Sequence, residues 1–476
     1  MRWGYNTCFY CCLNVHKVCY KCVNCCMVGV LDAVIKSVTS PYDFNIICRC
    51  AMSAKELPIA EVRQEKTWVA FVGDFAILKD FFAQKTQRVW HAVQLLDSFL
   101  RGFGQIVFAN NPLSGLLIIV TLAAVTPGTL AFSAATAGLG LLLSVDPAPV
   151  FLQLMREPDF IVENGLSVYN PLLVGAVSYG LIPQIYGAGF DTLSCLLVLL
   201  ATILSVYLSR SLRSDKFSCT TWPFNLVEFA LIFILSTQNG AATVAQSAGP
   251  MFEMHNATSE TTTTTTTADG GAGFHGLQNT TGAYIDWGMV VRGSVVSASQ
   301  LFGVDNVIVG SVMYLAMLIY SPVSTAFSYF GALCGTFAGL ELGADCRRAY
   351  SGMWGYNSLL TGAALGGNLL VLNGQTAVAA VMAIIYTSLL QYAIESIFAK
   401  AQLPVLTLPF VIATSLFLKL SDGKEDPTFP WPVSITFPEK QRHYYVARRA
   451  ALREEDAVEE LELDTANERR PVPSDN

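Results

Sequence analysis

Charge is what this sequence has least of. Only 14% of its 476 residues are Asp, Glu, Lys or Arg, against 53% hydrophobic, whereas soluble domains carry roughly a quarter charged residues. So little charge cannot cover the surface of soluble domains of this size, and the chain belongs in a bilayer. Histidine is scarce too: His16, His91, His255, His275 and His443 all fall outside the expected spans. With no Ser-His, Cys-His or metal-ligand cluster expected inside the membrane, an intramembrane enzyme is the weakest reading, and no catalytic residue, cofactor or metal is expected. No basic patch supports nucleic-acid binding. The first residues lack a basic stretch followed by an apolar run and a small-residue cleavage site, so no cleavable signal peptide is expected and the first span serves as the insertion signal.

What charge there is sits mostly at the two ends, residues 1 to 90 and 421 to 476, which should lie in water. The net charge of -7 comes largely from the tail residues Glu454, Glu455, Asp456, Glu459, Glu460, Glu462 and Asp464. At the other end Cys8, Cys11, Cys12, Cys19, Cys22, Cys25 and Cys26 crowd together around His16. A zinc knuckle is one reading, but the gap from Cys11 to Cys19 is short for zinc spacing. Palmitoylated or simply reduced thiols on a cytoplasmic, membrane-proximal segment fit better.

Residues 238 to 291 contain no Lys or Arg, while Arg2, Lys17 and Lys21 precede the spans and Lys424, Lys440, Arg442, Arg448 and Arg449 follow them. The positive-inside rule therefore places both termini in the cytoplasm and the middle outside. The same loop carries two glycosylation sequons, at Asn256 and Asn279, around a threonine run that cannot bury a core. With the ends on one side and the middle on the other, each half crosses an odd number of times.

The halves match at three places in the same order. Gln105-Ile-Val-Phe-Ala-Asn-Asn answers Gln300-Leu-Phe-Gly-Val-Asp-Asn, Tyr169-Asn-Pro-Leu-Leu-Val-Gly answers Tyr356-Asn-Ser-Leu-Leu-Thr-Gly, and Cys219-Thr-Thr-Trp-Pro-Phe answers Val405-Leu-Thr-Leu-Pro-Phe. The shift is 195 residues for the glutamines, 187 for the tyrosines and 186 for Thr221 and Thr407. So constant an offset predicts an inverted duplication. The expected organisation is a Cys-rich cytoplasmic region over 1 to 90, a first repeat over 91 to 237, an extracellular glycosylated loop over 238 to 286, a second repeat over 287 to 425 and an acidic cytoplasmic tail over 426 to 476.

Long apolar runs qualify as spans, for example residues 179 to 208 with a break near Pro183 and 307 to 342 with a break near Pro322. The pieces around Gln105, Gln300, Pro223 and Pro409 are short or interrupted instead. Broken backbone at membrane depth survives only where protein or a polar path satisfies its N–H and C=O groups, so these matched breaks mark the expected permeation site. Each residue has a plainer reading as well. The prolines are ordinary kinks, the threonines bond their own helices, the glutamines join helices and the tyrosines sit at the membrane interface. Recurrence of all four types in both halves favours the site.

The string Leu403-Pro-Val-Leu-Thr-Leu-Pro-Phe410 fits LPxxTxPF and Asn111-Pro-Leu-Ser-Gly115 fits NPxxG; both resemble elements of the urea transporter family. The similarity covers roughly residues 98 to 420, and 431 to 445 resembles the family's C-terminal end. The first copy departs from the pattern, with Phe217-Ser218 in place of Leu-Pro. The resemblance implies an all-α polytopic protein of about ten spanning helices plus two tilted, half-spanning pore helices. It further implies a homotrimer in the plasma membrane, with lipid around it and one pore per protomer. Carried to matching positions, it implies that Thr221 and Thr407 line the narrow middle and that Gln105 and Gln300 face urea nearer the ends. Tyr169, Leu173, Tyr356 and Leu360 then form a flat slot, with Phe108 and Leu301 beside it.

Urea is planar and neutral with four N–H donors and one strong acceptor, so carrying it through a membrane calls for a line of acceptors and few charges. Helix N-termini aimed at the pore would discourage cations, and movement should follow the gradient. A channel for water, ammonia or another small amide is the nearest alternative. A proton-coupled transporter would need Glu228 or Glu395, neither of which recurs in the other half.

Overall fold

The structure, a computed structural model, describes residues 72–85, 88–145, 157–186, 190–213, 218–238, 285–401, 403–423, 426–432 and 435–450. The cysteine cluster, both glycosylation sequons, Phe217 and the acidic tail lie outside the described residues. Among those described there is helix and connecting loop and no strand.

A short helix α1 (Ala76–Ala83) precedes α2 (Arg88–Gln105), α3 (Pro112–Val125), α4 (Pro127–Ser144), a single turn α5 (Asp159–Glu163), α6 (Tyr169–Tyr186), α7 (Thr192–Leu212) and α8 (Trp222–Gln238). Beyond residues 239–284 follow α9 (Trp287–Ser299), α10 (Val307–Tyr320), α11 (Pro322–Glu341), α12 (Cys346–Tyr350), α13 (Tyr356–Ala363), α14 (Gly374–Phe398), α15 (Leu408–Leu418) and α16 (438–450). Four of the described helices, α4, α7, α11 and α14, are long and apolar enough to cross a bilayer. The pair α9 and α10, bent by 83°, makes a fifth if it counts as one broken span, and α3, α8 and α15 are shorter apolar helices. Large apolar side chains such as Leu142, Leu196, Phe233, Ile308, Met382 and Leu389 stand exposed on these helices, the pattern of a protein solvated by lipid.

Local chemistry sets where helices begin. Asn111 caps α3, its side chain accepting from Leu113 N and Ser114 N at 2.8 and 3.4 Å, with Pro112 at the first helical position. Asn306 caps α10 in the same way, accepting from Ile308 N and Val309 N at 2.8 and 3.2 Å. Pro127 and Pro322 open α4 and α11. The break expected near Pro322 is therefore present. Pro183 lies in the last turn of α6, which ends at Tyr186, and α7 starts behind the Asp191 cap.

Packing partners recur through the two halves. Helix α2 packs on α3, α4 on α6, α6 on α7 and α7 on α8; likewise α9 packs on α10, α11 on α13, α13 on α14 and α14 on α15. The halves join where α3 lies against α10 and α8 meets α15, and Ser114 Oγ donates across the first junction to Ala316 O at 2.6 Å. Close approach depends on Gly115 and Gly310, where an added Cβ would stand 1.7 Å from Leu100 O and 2.3 Å from Val295 O. One buried apolar cluster, including Phe103, Leu172, Phe224, Phe302, Leu359 and Phe410, runs through both halves.

Candidate functional site

The two Thr-x-Pro-Phe segments meet. Thr221 Oγ1 and Thr407 Oγ1, 186 residues apart in the chain, lie 2.7 Å from each other, both buried, at the starts of α8 and α15. Asn225, one turn into α8, donates from Nδ2 to Thr407 Oγ1 at 2.8 Å and to Thr221 O at 2.8 Å. Its Oδ1 is buried with no protein partner among the described residues, as is Gln300 Oε1. Both oxygens are acceptors, able to bond an N–H donor.

The residue before each threonine is strained. Thr220 and Leu406 have φ of 39° and 50°, a left-handed conformation that bulky residues avoid at a cost of roughly 1–2 kcal/mol. The same side chains hold both turns. Tyr169 Oη donates to Thr220 O at 2.8 Å and Tyr356 Oη to Leu406 O at 2.5 Å. Asn170 Nδ2 and Asn357 Nδ2 add second bonds of 3.2 Å each to those carbonyls. The asparagine oxygens accept in turn from Phe224 N and Phe410 N at 3.3 and 3.4 Å. The tyrosine hydroxyls therefore position the threonine turns, while Leu173 and Leu360 are buried on the same helices α6 and α13.

The glutamine segments are equally alike. Phe108 N bonds Gln105 O at 3.0 Å and Ala109 N bonds Gly104 O at 3.0 Å; Gly303 N bonds Gln300 O at 2.9 Å and Val304 N bonds Ser299 O at 3.2 Å. These are paired Schellman closures, with the left-handed residue at φ 60° in Phe108 and 67° in Gly303. Glycine takes that conformation freely and phenylalanine does not. A strained Phe at this point places its ring edge-on to Phe410, 6.2 Å between centroids. Leu301, buried, falls in the turn opposite Ile106 rather than opposite Phe108. Gln105 Nε2 donates to Asn164 O at 2.9 Å and Gln300 Nε2 to Ser351 O at 2.6 Å.

The candidate site residues include no charged side chain. Glu228, fully buried on the same helix as Thr221 and Asn225, accepts from Ser178 Oγ at 3.2 and 3.3 Å; Glu395 instead pairs with Arg348. Asn225 and Asn164 were not expected from the sequence. Asn225 has no matching residue in the second half, where Val411 stands, so repetition does not mark it.

Apolar helices, broken helix ends and an uncharged polar cluster buried between them define the class: an integral membrane transport protein for a small neutral solute. The sequence pattern of the urea transporter family matches residues 96–422. Urea transporter 1 of Ovis aries is 28% identical over 379 residues, which is 79% of this chain and 88% of that protein. The Rattus norvegicus and Mus musculus proteins of the same name are each 27% identical over 75% of this chain and 85% of theirs. The chain belongs to the urea transporter family, a transporter of urea across membranes and not an enzyme.

Proposed function

We propose that urea passes down its gradient through a narrow pore running past Gln105, Phe108, Thr221, Thr407, Gln300 and Leu301, with Tyr169, Leu173, Tyr356 and Leu360 holding and walling the passage. The observation that carries this reading is the buried bond between Thr221 and Thr407, which joins the two motif copies. A solute that replaces this bond must offer both donors and an acceptor, as urea does. Asn225 Oδ1 and Gln300 Oε1 stand ready to accept its N–H groups.

The matched bonds, matched strain and matched packing of the two halves support two inverted repeats, and the family supports ten spans, two half-spanning pore helices and a homotrimer. Both termini cytoplasmic, residence in the plasma membrane and glycans on Asn256 and Asn279 complete the proposal. The contact of Asp74 with Lys440, 3.9 Å, supports a shared side for the two flanking segments. The proposed regions are a cytoplasmic N-terminal region over 1 to 90, repeats over 91 to 237 and 287 to 425 with the extracellular loop between them, and a cytoplasmic tail over 426 to 476.

In proteoliposomes loaded without urea, labelled urea should enter until inside and outside concentrations are equal and no further, with or without a proton gradient. Accumulation above the outside concentration under an imposed proton gradient would instead support coupling through Glu228, which the burial of that carboxyl keeps open as a second reading. Glu228→Gln should leave the equilibrating flux intact on the passive reading.

A further inference from the structure

An acceptor-lined passage leaves one problem unsolved. Guanidinium is planar and close to urea in size, and its N–H groups suit the same oxygens, so acceptors alone do not reject it. Discrimination needs positive charge near the path. One ammonium group is so placed, on a helix outside the matched family region. Lys79 of α1 donates from Nζ to Asn164 Oδ1, and the backbone carbonyl of the same Asn164 accepts from Gln105 Nε2 at 2.9 Å. Asn110 Nδ2 also bonds Asn164 Oδ1, at 2.7 Å. At the corresponding place in the second half Gln300 bonds Ser351 O, and among the described residues no lysine joins it.

We propose that Lys79 is a specificity residue that keeps guanidinium and other small cations out of the mouth beside Gln105; this rests on the reading of Gln105 as a pore residue. The neighbouring charges leave the ammonium effective. On α2, Arg101 is paired with Asp97 at 2.7 Å. Before α1, Asp74 faces Lys440 at 3.9 Å. Glu163, at the end of α5, is exposed, as is Asp80, beside Lys79 on α1 itself. The side chain of Lys79 thus meets a neutral amide where its neighbours meet opposite charges. Burial, reinforced by Arg101 and partly offset by Asp74, Asp97 and Glu163, lowers its pKa to about 8, so the charge is present at neutral pH and lost as pH rises through that value.

The test uses the full chain in proteoliposomes, with membrane potential clamped by potassium and valinomycin and with urea and guanidinium entry measured separately. Lys79→Met keeps the apolar stem and removes the charge, and Lys79→Arg keeps the charge. Removing one partly screened charge a few ångströms from the path should raise guanidinium entry by about tenfold, with urea entry changed less than about twofold and Lys79→Arg like the unmodified protein. Raising the pH of the unmodified protein from 7 to 9.5 should raise guanidinium entry in the same direction, which tests the idea without any substitution. Guanidinium entry unchanged both in Lys79→Met and at pH 9.5, in liposomes that still carry urea, would overturn the role of Lys79. An unmodified protein that carries no urea would overturn the pore reading instead.

Discussion

At the scale of single residues, the hydroxyl pair and its amide neighbour decide most. Thr407→Val preserves shape while removing the group that bonds both Thr221 and Asn225 Nδ2. Loss of one buried hydrogen-bonding partner costs about 1–3 kcal/mol, so urea flux should fall by about tenfold or more, whereas Thr407→Ser should keep most of it. Arg101 matters for stability rather than passage. It is completely buried, donates to Asp97 Oδ2 at 2.7 Å and reaches Asp74 O and Asn110 O at 2.8 and 2.9 Å. Arg101→Met strands a buried carboxylate at a cost of about 3–5 kcal/mol, and a lowered melting temperature in detergent with loss of folded protein on size exclusion is the expected result. Thr221, Thr407 and the glutamines could be proposed from sequence because each type recurs in both halves at a regular shift. Asn225 was illegible for the opposite reason: its partner position holds Val411, and nothing in a single sequence marks an unrepeated asparagine as central.

Among the helices, the matched ends carry the argument. Schellman closures end the helical run at Gln105 and Gln300, and the left-handed residues Thr220 and Leu406 stand just before α8 and α15, where tyrosine and asparagine side chains take up their carbonyls. Tyr356→Phe should therefore loosen the turn before Thr407 by about 1 kcal/mol, slowing urea through displacement of the threonine rather than through lost contact; Tyr169→Phe should do the same before Thr221. Gly115→Leu drives a side chain into Leu100 O, where even a Cβ would lie at 1.7 Å, and should prevent α2 and α3 from packing, with little folded protein recovered. Prolines and asparagine caps made these breaks readable in the sequence. Pro183 stands in the last turn of α6, which ends at Tyr186, so the interruption expected near it follows within a turn, and α7 begins behind the Asp191 cap.

For the molecule as a whole, the low charge and the apolar helices agree on a membrane protein, and the family match agrees on urea. Three short matched blocks in the sequence are what suggest a duplication. The packing of α3 on α10 and of α8 on α15 needed coordinates, because apolar contact faces leave no periodic mark when a helix is apolar on every side. If the loop between α8 and α9 faces outward, the protein made in animal cells should shift on a gel after glycosidase treatment, and Asn256→Gln with Asn279→Gln should abolish the shift. An unchanged mobility of the unmodified protein would set the topology against the proposal.

The most direct measurement of the central claim is stopped-flow urea permeability of the purified chain in proteoliposomes, unmodified and with Thr221→Val, Thr407→Val and Thr407→Ser. Rapid urea entry in the unmodified protein and in Thr407→Ser, with a drop of about tenfold or more in both valine variants at equal protein content, is what a passage through the paired threonines predicts. Valine variants that carry urea as fast as the unmodified protein would show that urea takes another route.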